Sequence, residues 1–153
     1  MRDPSVYDGK QQGDLLGLNL PNLEAKILKV ISNFKCVAGT VLFGSALDLV
    51  RPESDIDVGI VLQPGHDELA VAADVEYALG RFGCHPFQVT VLADTAPVAE
   101  FTYRAFNSGK VIHMADEDFT TDIIEKVSRI HEENRQFMRI YDAARGRSSY
   151  GVN

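Results

Sequence analysis

Tryptophan is absent from this chain of 153 residues, and its only cysteines are Cys36 and Cys84. Two thiols so far apart make neither a disulfide framework nor a zinc site. The simplest expectation is a reduced, cytoplasmic compartment. No apolar run approaches the roughly 18 residues that a membrane span needs. Met1 to Gly13 is polar, is broken by Pro4, Gly9 and Gly13, and has no apolar core of the kind a signal peptide carries. Positive charge is also scarce. Lys and Arg number 15 against 22 Asp and Glu, a net charge of -7. That balance argues against a broad basic face for nucleic acid, because phosphate neutralisation dominates such affinity. A small triphosphate stays compatible, since a bound Mg²⁺ can supply the charge that the protein lacks.

What is present reads as one domain, with 45% hydrophobic and 24% charged residues. Residues 1–20 are expected to form a flexible tail, 21–145 the domain, and 146–153 a second tail. Leu23 to Ile31 follows Asn22, a candidate N-cap, and reads as a helix. Cys36 to Phe43 and Ile56 to Leu62 are apolar strands, the second stopped by Pro64-Gly65. Asp67 to Arg81 is an amphipathic helix. His85 to Leu92 is a third strand, with Phe87, Val89 and Val91 on one face and Gln88, Thr90 and Leu92 on the other. Pro97 to Phe106 is a helix closed by Asn107-Ser108-Gly109, and Lys110 to Met114 a short strand. Asp116 to Ala144 is a long helix with a stripe of Phe119, Ile123, Val127, Ile130, Asn134, Phe137 and Tyr141. This order implies an α/β or α+β fold, a small mixed sheet with helices packed on one face and a long C-terminal helix.

The chemistry concentrates in Val41-Leu42-Phe43-Gly44-Ser45 and Glu53-Ser54-Asp55-Ile56-Asp57-Val58. One apolar strand delivers a Gly-Ser turn, and the next strand opens with Asp-x-Asp. Residues two apart in a strand share a side. Asp55 and Asp57 would therefore aim at one point while Ile56 and Val58 face the core. Two adjacent carboxylates repel and need a cation or protons. Hard oxygen donors of this kind suit Mg²⁺, which takes its other ligands from substrate phosphates. Gly44 lets backbone approach a phosphate, and the Ser45 hydroxyl can donate to its oxygens. Phosphoryl and nucleotidyl transfer need little beyond alignment and neutralised charge. Two edge carboxylates merely facing water are the competing explanation.

Leu42-Phe43-Gly44-Ser45 with Pro52-Glu53-Ser54-Asp55-Ile56-Asp57-Val58 resembles the signature of the DNA polymerase beta-like nucleotidyltransferases, and most of all the minimal nucleotidyltransferases (MNT). Tyr103-Arg104-Ala105, Gly109-Lys110-Val111-Ile112 and Tyr141-Asp142-Ala143-Ala144 extend the likeness over about residues 20 to 144. The resemblance implies the polymerase-beta-like nucleotidyltransferase fold and transfer of a nucleoside monophosphate, AMP from ATP, to a hydroxyl. It implies Mg²⁺ or Mn²⁺ on the catalytic Asp55 and Asp57, and nucleotide held by Gly44, Ser45 and Ser54. It also implies an antitoxin role beside a small helical HEPN-type toxin whose tyrosine is the acceptor. The family's third carboxylate falls by alignment on Gln88, which cannot act as a base. The alternative expectation is therefore a weak or inactive member of the fold that works by binding a partner. Asp94 lies six residues beyond Gln88, roughly 20 Å along an extended strand, too far to replace it.

Other features carry less. His131-Glu132-Glu133-Asn134-Arg135 has Arg135 where a zinc helix needs histidine. Asn107-Ser108-Gly109-Lys110 lacks the upstream glycine of a phosphate loop. His66, His85 and His113 have no partner at metal spacing. Asn134 within the stripe, and the extra length of the last helix beyond the domain, leave a homo-oligomer or a toxin contact open.

Overall fold

A computed structural model describes residues 20–44, 55–81 and 86–145. Its elements run α1 (Leu20–Ile31), β1 (Val37–Phe43), β2 (Ile56–Leu62), α2 (Glu68–Gly80), β3 (Phe87–Val91), α3 (Ala96–Ser108), β4 (Lys110–Met114) and α4 (Glu117–Ala144). The strands form one mixed sheet in the order β3-β2-β1-β4. β1 is antiparallel to both β2 and β4, while β2 and β3, joined through α2, are parallel. The expected fold class holds. The two expected tails lie outside the described residues, apart from Leu20.

Helices cover both faces of the sheet, a correction to the expected single face. The reason is visible along β1 and β2, where nearly every position is buried. A strand buried on both sides reads as a continuous apolar run rather than an alternation. Ile56, Val58 and Ile60 of β2 pack with Leu23, Ile27 and Ile31 of α1 and Val75 and Leu79 of α2. Val41 and Val61 on the opposite face pack with Ala105 of α3, against which Phe119 and Ile123 of α4 also lie.

Capping accounts for two helix starts. Asp67 accepts from the Ala70 N–H at 3.2 Å, and Asp116 accepts from the Phe119 N–H at 3.0 Å and from the Gln63 amide at 2.7 Å. These bonds hold the Asp116 carboxyl below the usual carboxylate range, the Phe119 backbone bond being the larger cause. Asn22 is a third, failed expectation. The first helix is already under way at Leu20, so Asn22 lies within it rather than capping it.

Gly109 also departs from expectation. It follows α3 in extended backbone (φ -95°, ψ -175°), not in the left-handed form of a glycine cap. Glycine is needed there for space. A Cβ would run into the carbonyl oxygens of Ala105 and Leu42, where the chain turns from α3 into β4 against β1. Gly80, at the end of α2, has open space around the same added atom. The two alanine substitutions should therefore have opposite signs. Gly109→Ala is expected to destabilise by about 1–3 kcal/mol, the cost of overpacking. Gly80→Ala is expected to stabilise by roughly 0.5–1 kcal/mol through helix propensity. Urea unfolding midpoints measure both.

Candidate active site

Asp55 stands just before β2 and is exposed, while Asp57, one residue into the strand, is half-buried. Ile56 between them is fully buried on the α1–α2 side, as is Val58 beyond. Ile56 is fixed by its N–H, which donates to the Pro86 carbonyl at 2.9 Å. Strand alternation then leaves Asp57 no direction but the α3 side. There it lies directly between Phe43 of β1 and Gln88 of β3 in the register of the sheet. Gln88 is exposed, so an amide stands beside Asp57 where the alignment anticipated a carboxylate.

Gly44 closes the site from the β1 side. Its φ of 82° is left-handed, a conformation that side chains with a Cβ rarely take. A Cβ placed on it would clash with the Asp57 Oδ2 atom. The turn glycine was expected to make room for a phosphate. In the folded chain it first makes room for the carboxylate, and so brings the bend and the Asp-x-Asp strand into contact. Ser45 and Ser54, the other expected nucleotide-binding residues, lie outside the described residues, as does His85.

Electrostatics single out Asp57. Burial pushes its carboxyl above the usual range, and the neighbouring Asp55 charge pushes it the same way. Among the described residues, no group of three or more His, Cys, Asp or Glu side chains could hold a metal ion. Among the described residues, the donor set at this strand end is two carboxylates, Asp55 and Asp57. It fits Mg²⁺, which commonly takes one or two carboxylates and completes its shell with water and phosphate oxygens. Asp94 stays outside the site, ion-paired to Lys126 of α4 at 3.2 Å.

An aromatic pair borders the carboxylates. Phe43, the register partner of Asp57, meets Phe101 of α3 edge to face, with ring centroids 5.5 Å apart. Farther round α3, His131 of α4 lies 3.0 Å from Glu100 through Nδ1 and stacks on Tyr103 at 3.9 Å. The bond to His131 is the largest reason that the Glu100 carboxyl sits below its ordinary range. Phe101 and this group were not foreseen from the sequence. Helical spacing shows which residues share a face, but not what the neighbouring element brings to it.

The family profile described as Polymerase beta, Nucleotidyltransferase matches residues 25–118, which include the site. The chain belongs to that family. Curated proteins gave no match. Several solved structures share the nucleotidyltransferase fold. A mutant of the toxin-antitoxin MntA-HpeT superposes with a TM-score of 0.60 and 19% identity, covering 83% of this chain and 98% of that one. A toxin-antitoxin structure with AMP-PNP gives 0.59 and 19%, covering 79% and 97%. A tri-AMPylated Shewanella oneidensis HEPN toxin in complex with MNT antitoxin gives 0.59 and 18%, covering 82% and 98%. No helix among the described residues is long and apolar enough to cross a membrane.

The raised Asp57 carboxyl has a consequence for stability. Its protonated form is favoured by folding, so this contribution is full below the ordinary carboxylate range and is lost as pH rises through the raised pKa. In metal-free protein, Asp57→Asn should therefore raise the thermal midpoint at neutral pH and leave it almost unchanged in acid. Scanning calorimetry at the two pH values is the check, and equal shifts at both would remove charge as the cause.

Proposed function

We propose that this nucleotidyltransferase moves AMP from ATP onto a hydroxyl, a tyrosine of a helical HEPN-type toxin, and thereby acts as that toxin's antitoxin. The observation that carries the reading is the close approach of Gly44 and Asp57, which joins the left-handed glycine at the end of β1 to a carboxylate pair. The solved complexes with a HEPN toxin and with AMP-PNP support the choice of partner and nucleotide. So does the C-terminal part of α4, where Phe137 is 62% and Ile140 68% exposed, with Met138 and Tyr141 beside them. A patch of that kind is surface that a partner covers. The compartment that follows is the cytoplasm, and the domain extends over residues 21–145.

Asp55 and Asp57 would hold Mg²⁺ or Mn²⁺, whose charge offsets that of the polyphosphate. Gly44 brings backbone to the β- and γ-phosphates, and Ser45 and Ser54 add hydroxyl donors. The acceptor oxygen attacks the α-phosphorus in line, the new O–P bond forms, and the bond to the bridging oxygen breaks with pyrophosphate leaving. Gln88 can donate a hydrogen bond beside Asp57 but cannot take the acceptor's proton, which passes to water.

That amide also supports a second reading, in which the chain keeps the fold and silences its partner by contact alone. Two variants and one titration separate the two. Asp55→Asn with Asp57→Asn should abolish Mg²⁺-dependent pyrophosphate release from ATP, and persistent turnover in that double variant would sink the assignment. Gln88→Asp restores a base beside Asp57 and should raise turnover by at least about tenfold, within the usual contribution of general base catalysis. Calorimetric titration of the natural chain with ATP and Mg²⁺ that yields no heat would favour the contact-only reading.

A further inference from the structure

Phe101 is 44% exposed although it belongs to a helix that packs firmly on the sheet. Ala99, Thr102 and Ala105 of α3 are buried against the body of the protein, and Thr102 anchors the helix by donating to the Ala93 carbonyl at 2.7 Å. On its other flank, α3 is tied to α4 through Glu100, Tyr103 and His131. The helix is therefore fixed on two sides, and Phe101 is held in place by the backbone that carries it.

Its position relative to the carboxylates follows from register. Phe43 and Asp57 are directly opposite across β1 and β2. Residues so paired share a face, with Cβ atoms about 4.5–5.5 Å apart. Phe101 sits on Phe43 at 5.5 Å with the ring planes at 83°. That contact uses one face or one edge of Phe101, and nearly half of the residue stays open. Packing alone does not account for an open ring at this place. The faces of an aromatic ring are electron-rich, so a nearby carboxylate pair gains nothing from it. A planar ligand laid on Phe101 would gain, because base-on-aromatic stacking is favourable and tolerant of which base is stacked.

We propose that Phe101, braced edge to face on Phe43, is the platform on which the nucleobase of the bound triphosphate stacks. This rests on the nucleotidyl-transfer reading above and adds to it the place where the base is held. The platform makes the site prefer a nucleoside triphosphate to the bare polyphosphate, while the shape of a single open ring favours purines through their larger stacking area.

The chain has no tryptophan, so Phe101→Trp would install its only indole. With Mg²⁺ present, ATP should quench that fluorescence and inorganic tripolyphosphate should leave it unchanged. Calorimetry on the full chain supplies the second arm. The natural protein should bind ATP more tightly than tripolyphosphate. Phe101→Ala should weaken ATP on the order of tenfold without changing tripolyphosphate affinity, and Phe101→Tyr should retain ATP. The platform is overturned if Phe101→Ala weakens both ligands alike or neither, or if tripolyphosphate quenches the indole as ATP does. Equal affinity of the natural chain for ATP and tripolyphosphate overturns the platform but leaves the polyphosphate site standing. Binding of neither ligand overturns the nucleotide reading and the platform together.

Discussion

The antiparallel pairing of β1 with β2 sets Phe43 against Asp57, and everything at the site depends on that register. It brings the left-handed Gly44 to the place where the Asp57 carboxylate needs room. The same register is enforced from beneath by Leu42 and Val58 and by Thr40 and Ile60, all fully buried. A slip of one residue would turn Asp57 into the α1–α2 core and expose Ile56 and Val58, so the hydrophobic faces lock the carboxylate outward. Burial then makes the Asp57 charge uncomfortable, which is the property a cation-binding position needs.

Around this centre, the sheet divides the work. The α1–α2 face holds the larger apolar cluster and supplies the rigidity. The α3–α4 face holds a smaller cluster and the groups with chemistry. Its polar links, Glu100 to His131 and Asp94 to Lys126, are partly exposed and contribute little stability as ion pairs. Their effect is geometric: Glu100 to His131 sets α3 against α4, and Asp94 to Lys126 ties the segment before α3 to the same helix, which together fix where Phe101 stands. Beyond these links, the apolar stripe read along α4 from Phe119 divides between core and surface. Val127 is fully buried in the domain, whereas Phe137 and Tyr141 stack on one another in the open.

Most elements were legible because their signals are local. Alternation and the Pro64-Gly65 stop act within a few residues of where they stand, and the helices read from Asp67 and Asp116 begin there because those aspartates cap them. The expected glycine cap at Gly109 failed because its reason is tertiary. Two carbonyls from separate elements crowd that position, and no spacing rule registers them. The single helical face failed for a similar reason. An apolar run says that a strand is covered, not which helix covers which side.

The Asp-x-Asp pair and the Gly-Ser turn were readable in the sequence, because the period of a strand dictates that Asp55 and Asp57 share a side and Ile56 does not. Family membership followed from the same residues. Only the fold decided that Gly44 adjoins Asp57 rather than merely preceding it, that the amide of Gln88 lies beside that carboxylate, and that Phe101 arrives from α3 to border them. Those relations join residues far apart in the chain, and they exist only once β1, β2 and β3 have paired and α3 has docked on the sheet.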